Sequence, residues 1–257
     1  MLHDLQVLTV DGERLWQSLM DMAKIGATPK GGVRRVALTL EDKAGRDQFV
    51  SWCKALGLAV TVDRIGNIFA RREGSDPALP PVVSGSHLDT QPSGGRFDGC
   101  YGVMAALEVC RTLNDHGITT RHPIEIAVWT NEEGTRFTPV MGGSGVFTGK
   151  FTVEYARSQK DVDGVTMGEA LDAVGYAGAA PCGHPVAAYF EAHIEQGPVL
   201  ENENAVIGVV TGGLGQRWFD VTVTGMEAHA GPTPMADRKS TRLNSSHIPL
   251  SRMPSSA

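Results

Sequence analysis

The sequence lacks what several classes of partner would require. Positive charge is in deficit: 23 Lys and Arg against 29 Asp and Glu leave a formal net charge of -6. No basic patch is evident before residue 238. Neither nucleic acid nor an anionic membrane therefore has an electrostatic claim on this chain. No run of about 18 apolar residues occurs, so no transmembrane helix is expected. The opening stretch, MLHDLQVLTVDGERLW, lacks the basic start and apolar centre of a secretory signal. Cysteine is scarce, and Cys53, Cys100, Cys110 and Cys182 form no C-x-x-C pair. Reduced thiols in a cytoplasmic protein are expected, rather than disulfides or zinc ligands. No internal repeat is evident.

What is present suits a globular protein. The 257 residues are 41% hydrophobic and 20% charged, enough for one large domain or one domain and part of a second. Helical spacing of Leu15, Leu19, Met22 and Ile25 predicts a helix over 11–25, and Phe49, Trp52, Cys53 and Leu56 predict another over 41–56. Gly57 follows where a helix C-terminal glycine belongs. Short strands are expected at 58–63 and 67–71, turning at Gly66. Buried strands are expected at 81–86, 123–130 and 187–194, with helices at 101–113 and 166–174. Strands alternating with helices indicate an α/β core. From about residue 208 the texture changes, and RWFDVTVTG alternates as a strand with one wet face does.

Polar groups gather where the buried strands end. GSHLDT offers His87 and Asp89, a pair suited to a metal-binding imidazole whose second nitrogen is held by a carboxylate. GGRFDGCYG offers Asp98 among glycines; a carboxylate has two oxygens and can bridge two cations. TNEEGTRF puts Glu132 and Glu133 after an apolar strand, where adjacent carboxylates persist readily beside a cation. One can bind metal while the other faces attacking water, a division that metal-assisted hydrolysis uses. FEAHIEQGP adds His193 beside Glu195 and Gln196. Each motif alone has an ordinary reading: a strand-end histidine, a surface Asp-Gly turn, a solvated helix start. Together they lie at one edge of successive strands, the usual place for a site in an open α/β sheet. Without thiolates, the ligand set suits zinc, manganese, cobalt or nickel equally.

The segments GSHLDTQPSGGRFDG, NEEGTRF, FEAHIEQGPVLE and GMEAHAGPTPM resemble the M20 metallopeptidase superfamily over about 11–238. The resemblance is nearer to its carbamoylase branch: N-carbamoyl-L-amino acid hydrolases, β-ureidopropionases and allantoate amidohydrolases. It implies a three-layer α/β/α di-metal hydrolase core with a small α+β lid that dimerises. It implies that His87, Asp98, Glu133 and His193 are metal ligands, with Asp98 bridging two divalent ions. Asp89 would support His87, and Glu132 would be the general base. Gln196 would line the substrate site, and His229 would reach in from a partner subunit to stabilise the oxyanion. A cis peptide at Asp98–Gly99 is also implied.

The implied activity is hydrolysis of a linear C–N bond in an N-carbamoyl (ureido) amino acid, giving the amino acid, carbon dioxide and ammonia. Allantoate or a β-ureido acid is the close alternative substrate, then an acylated amino acid or dipeptide. A metal-binding dimerisation module is the non-enzymatic alternative. The expected organisation is a catalytic domain over 1–208, the start of the lid over 209–239, and a non-native tail over 240–257. That tail, STRLNSSHIPLSRMPSSA, has six serines and no acids, and its His247 is not taken as a ligand. Family members continue further, so this polypeptide is expected to be a fragment with little or no activity of its own.

Overall fold

A computed structural model describes residues 8–215. Helix α1 (Gly12–Met22) starts where the Asp11 side chain accepts the backbone N–H of Arg14. Helix α2 (Leu40–Ala55) starts at Thr39, which caps Asp42 in the same way. It ends as expected: Gly57 has φ +80° and the N–H of Leu58 reaches back to the Cys53 carbonyl. Strands β1 (Ala59–Val62) and β2 (Ile68–Arg72) form an antiparallel hairpin. Strand β3 (Val82–His87), helix α3 (Cys100–Asp115) and strand β4 (Ile124–Trp129) make a parallel β-α-β unit. Helices α4 (Gly142–Phe147), α5 (Val153–Ser158) and α6 (Met167–Val174) follow, then strand β5 (Ala188–Phe190) and the short helix α7 (Val199–Asn202).

Among the described residues the sheet has the order β1-β2-β4-β3-β5. β2 joins β4 antiparallel, while β3 lies parallel to both β4 and β5. The fold is therefore α/β on a mixed sheet. Alternation along the strands sends side chains to two faces. Ile68, Ala70, Ile126 and Val128 join the main core with residues of α1, α2, α3 and α6, centred on Met22, Phe49, Leu107 and Leu171. Phe69, Val83, Ala127 and Trp129 form a smaller cluster on the other face with Phe147 and Val186. Helices α4 and α5 were not expected, because GGSGVF reads as a loop.

Four cysteines remain free, three of them buried. No helix among the described residues is long and apolar enough to cross a membrane. By its internal contacts the chain divides into two compact units, 1–194 and 195–257. The short α7 segment closes on itself: the Glu195 carboxylate accepts the backbone N–H groups of Val199 and Leu200, and Ala205 N–H bonds to the Leu200 carbonyl. The strand expected over 217–225 lies outside the described residues, as does the stretch 240–257.

One glycine sets the spacing of the two central strands. A Cβ built on Gly85 would lie 2.0 Å from the carbonyl oxygen of Ala127 on β4. Overpacking in a closed interior costs about 1–3 kcal/mol and sometimes more, and here the obstacle is backbone that carries the β3–β4 ladder. Gly85→Ala is expected to lower unfolding stability in urea by at least that much. A midpoint unchanged from the parent chain would contradict this account of the strand spacing.

Candidate metal centre

The first unit brings His87, Asp98, Glu132 and His193 to the ends of β3, β4 and β5. His87 is the last residue of β3 and is almost wholly buried. Its Nδ1 lies 2.8 Å from the backbone carbonyl of Asp89. A carbonyl only accepts, so Nδ1 carries the proton and Nε2 presents the lone pair of the neutral ring. His193, more exposed, also has its Nδ1 tied to a carbonyl, that of Ile194 at 2.8 Å; without a cation its Nε2 carries a proton toward Asp98. Both Nε2 atoms then converge on Asp98 Oδ1, at 3.9 Å from His87 and 3.3 Å from His193. One donor atom from each of these three residues falls within a 4.8 Å group, which could hold a metal ion.

Glycine makes the approach possible. Gly99, between Asp98 and α3, has φ +64°, and a Cβ there would sit 2.5 Å from three atoms of the His87 ring. The ring thus lies against bare backbone, and Asp98 is delivered to its edge. Among the described residues the cis peptide is Thr138–Pro139. The bond expected to be cis, Asp98–Gly99, is not; the positive φ of Gly99 makes the turn instead.

Asp89 meets His87 mainly through its backbone. Its carboxylate oxygen lies 4.0 Å from His87 Nδ1, and it is the backbone carbonyl that holds the ring. The carboxylate accepts the backbone N–H groups of Glu132 at 3.2 Å and Glu133 at 3.3 Å. It therefore ties the end of β3 to the loop after β4. Burial pushes its pKa up to about 6 against the pull of His87.

Glu132 Oε2 comes within 3.4 Å of His87 Nε2. Burial raises its pKa, opposed by His87 and reinforced by Glu133, Asp98 and Glu191. Glu133 points elsewhere: Gln91 binds its two oxygens, the backbone N–H at 3.2 Å and Nε2 at 2.6 Å. Among the described residues it falls outside the three-residue group. Gln196 belongs to the second unit, where it has φ +57°. His229 lies outside the described residues.

Sequence reasoning passed over several supporting residues. Gln91 was visible as the residue after HLDT, but nothing in the sequence marked it as the partner of Glu133. Arg35 is fully buried and donates to the carbonyls of Met22, Ile25 and Leu88 and to Cys100 Sγ. It joins Leu88, just after His87, to Cys100 at the start of α3, and so braces the chain on both sides of Asp98. Asn67 accepts the N–H of Thr130 and donates to the Gly143 carbonyl, which fixes the loop bearing Glu132. A buried arginine or asparagine leaves no periodic trace in a sequence.

Two imidazoles and a carboxylate, each imidazole with its remote nitrogen tied to a carbonyl, are a fitting donor set for a divalent cation. Comparison with known proteins agrees. Residues 83–246 match the profile of peptidase family M20/M25/M40, and the chain belongs to that family. It is 52% identical over 240 residues to an N-carbamoyl-L-amino-acid amidohydrolase of Rhizobium meliloti, covering 93% of this chain and 58% of that one. It is 35% identical to an allantoate amidohydrolase of Bacillus subtilis, covering 88% of this chain and 56% of the relative. A crystal structure of an amidase of the hydantoinase/carbamoylase family from Burkholderia vietnamiensis superposes with TM-score 0.87 at 62% identity, over 91% of this chain and 57% of that one. The chain thus spans a little over half the length of these relatives.

In the metal-free chain, the hydrogen bond to Asp98 raises the pKa of His193 to about 9 from the ordinary 6.5. The sign follows: the pairing stabilises the fold fully below about pH 6.5 and is lost as pH rises through about 9. NMR titration of the His193 ring protons should show this high midpoint, and Asp98→Asn should bring it down toward the ordinary value. A midpoint near 6.5 in the parent chain would contradict the Asp98 contact.

Proposed function

We propose that the full-length protein is a metal-dependent amidohydrolase that cleaves a linear C–N bond of an N-carbamoyl amino acid. The products are the amino acid, carbon dioxide and ammonia. The single observation that carries the reading is the placement of Glu132 beside the His87–Asp98–His193 group, at 3.4 Å from His87 Nε2. The names of the relatives support the substrate class. An allantoate amidohydrolase also stands among them, so allantoate is the second substrate to test.

His87, Asp98 and His193 would hold one divalent ion. Glu133, with Asp98, would be the candidate pair for a second; the oxygens that Gln91 binds retain further lone pairs. Bound divalent ions would supply Lewis-acid polarisation of the scissile carbonyl and a lowered pKa for the attacking water. Glu132 does the proton work. A carboxylate whose pKa burial has raised is a better base near neutral pH than an exposed one. It takes a proton from water and returns it to the leaving nitrogen. Asp89 keeps this base in place through the backbone N–H of Glu132. In the dimer we infer for the intact protein, His229 of the lid would stabilise the oxyanion and Gln196 would contact the substrate. The unpaired, mostly buried cysteines support a cytoplasmic setting.

The test is Glu132→Gln in the full-length protein, assayed on N-carbamoyl amino acids, allantoate and dipeptides. Turnover is expected to fall by about 10²–10⁴-fold, while bound zinc or manganese stays at the parental stoichiometry. Near-normal turnover would refute Glu132 as the base. Preference for dipeptides over ureido acids would refute the substrate class.

A further inference from the structure

Strands β3 and β5 carry the two histidines, yet the backbone ladder between them is short. It covers only Val82↔Ala188, Val83↔Tyr189 and Ser84↔Phe190. The ladder stops three residues before His87 and three before His193. A strand of three residues at the edge of a sheet is a weak hold for a side chain that must meet its partner to within a fraction of an ångström. Beyond the ladder a side-chain joint takes over. Ser86 Oγ donates to Glu191 Oε1 at 2.5 Å. Tyr189 donates its phenolic proton to Glu191 Oε2 at 2.6 Å. The indole N–H of Trp129 donates to the same Tyr189 oxygen at 2.9 Å.

The placement of this joint is what gives it meaning. Ser86 directly precedes His87, Glu191 stands two residues before His193, and Trp129 ends the strand that leads to Glu132. One carboxylate thus links the ends of all three strands that deliver the site. Glu191 uses one oxygen across to Ser86 on β3 and the other for Tyr189 of its own strand, whose hydroxyl takes the Trp129 indole N–H from β4.

We propose that Glu191 is a positioning residue: it fixes His193 relative to His87 by joining β5 to β3 beyond the end of their ladder. This rests on the reading that His87, Asp98 and His193 hold a cation. Glu191 is not one of the three donor residues; it acts through the strand that carries His193. Its removal should leave the ligands present but poorly placed.

Cobalt(II) titration of the chain, followed by visible absorption, tests this on Glu191→Ala, Glu191→Gln and His193→Ala, with circular dichroism to verify folding. Glu191→Ala should weaken cobalt binding by about 10- to 100-fold, the size typical of partners that orient metal ligands, and should alter the absorption bands. Glu191→Gln can still accept from Ser86 and donate to Tyr189, so it should recover most of the affinity and the parental bands. His193→Ala should lose binding altogether. Parental affinity and bands in Glu191→Ala, with His193→Ala impaired, would overturn the inference alone. Equal loss in Glu191→Gln and Glu191→Ala would also overturn it, since charge and not geometry would then matter. Absence of cobalt binding in the unaltered chain would overturn the cation reading and this inference with it. If Glu191→Ala does not fold, Tyr189→Phe replaces it. That variant cuts the link to Trp129, should weaken binding severalfold, and contradicts the proposal if it binds as the parent does.

Discussion

Four carboxylates, Asp89, Asp98, Glu132 and Glu133, crowd the ends of two adjacent strands around the imidazole of His87, with His193 closing the group. This concentration of negative charge is the constraint around which the rest is arranged. In a half-buried place such groups repel one another and lose hydration. The chain divides them by task. Asp89, fully buried, is occupied by the backbone N–H groups it accepts from Glu132 and Glu133. Glu133 is taken by Gln91. Asp98 faces both Nε2 atoms, and Glu132 faces His87 alone. A divalent cation held there would relieve the remaining repulsion, which supports the proposed metal centre.

The scaffold answers that constraint with buried polar bracing. Arg35 spans α1, the exit of β3 and the start of α3 through four donors. The buried pair Arg46–Asp42 ties α2 to the Gly66 turn and to Thr130, just before Asn131 and Glu132. Buried ion pairs of this kind are weak evidence for stability, because desolvation offsets their attraction. Here they stand behind the loops that carry the donor atoms, so their value lies in precision at the site.

Much of the architecture was legible because it depends on periodicity. The helix ending at Gly57, the buried strands on either side of α3, and the helix before Gly175 all carry their apolar spacing and their caps in the sequence. Helix α4 was not legible, since its glycines are chosen for close approach: a Cβ on Gly143 would lie 2.1 Å from Asn67 Oδ1. Strand β5 is shorter than its apolar run suggested, and beyond Phe190 the next connection to β3 is the side-chain bond from Ser86 to Glu191. The site residues were legible as types and spacings. Their partners were not: the carbonyl that holds His87, the Gln91 grip on Glu133 and the positive φ of Gly99 all arise from tertiary packing that a linear pattern does not encode.

The central claim is that the two Nε2 atoms and Asp98 hold a divalent cation. Anomalous diffraction from crystals grown with zinc or manganese tests it most directly. The account predicts a strong peak about 2.0–2.2 Å from His87 Nε2, His193 Nε2 and an Asp98 oxygen. A crystal loaded with metal that shows its peaks elsewhere, and none among these three side chains, would contradict it.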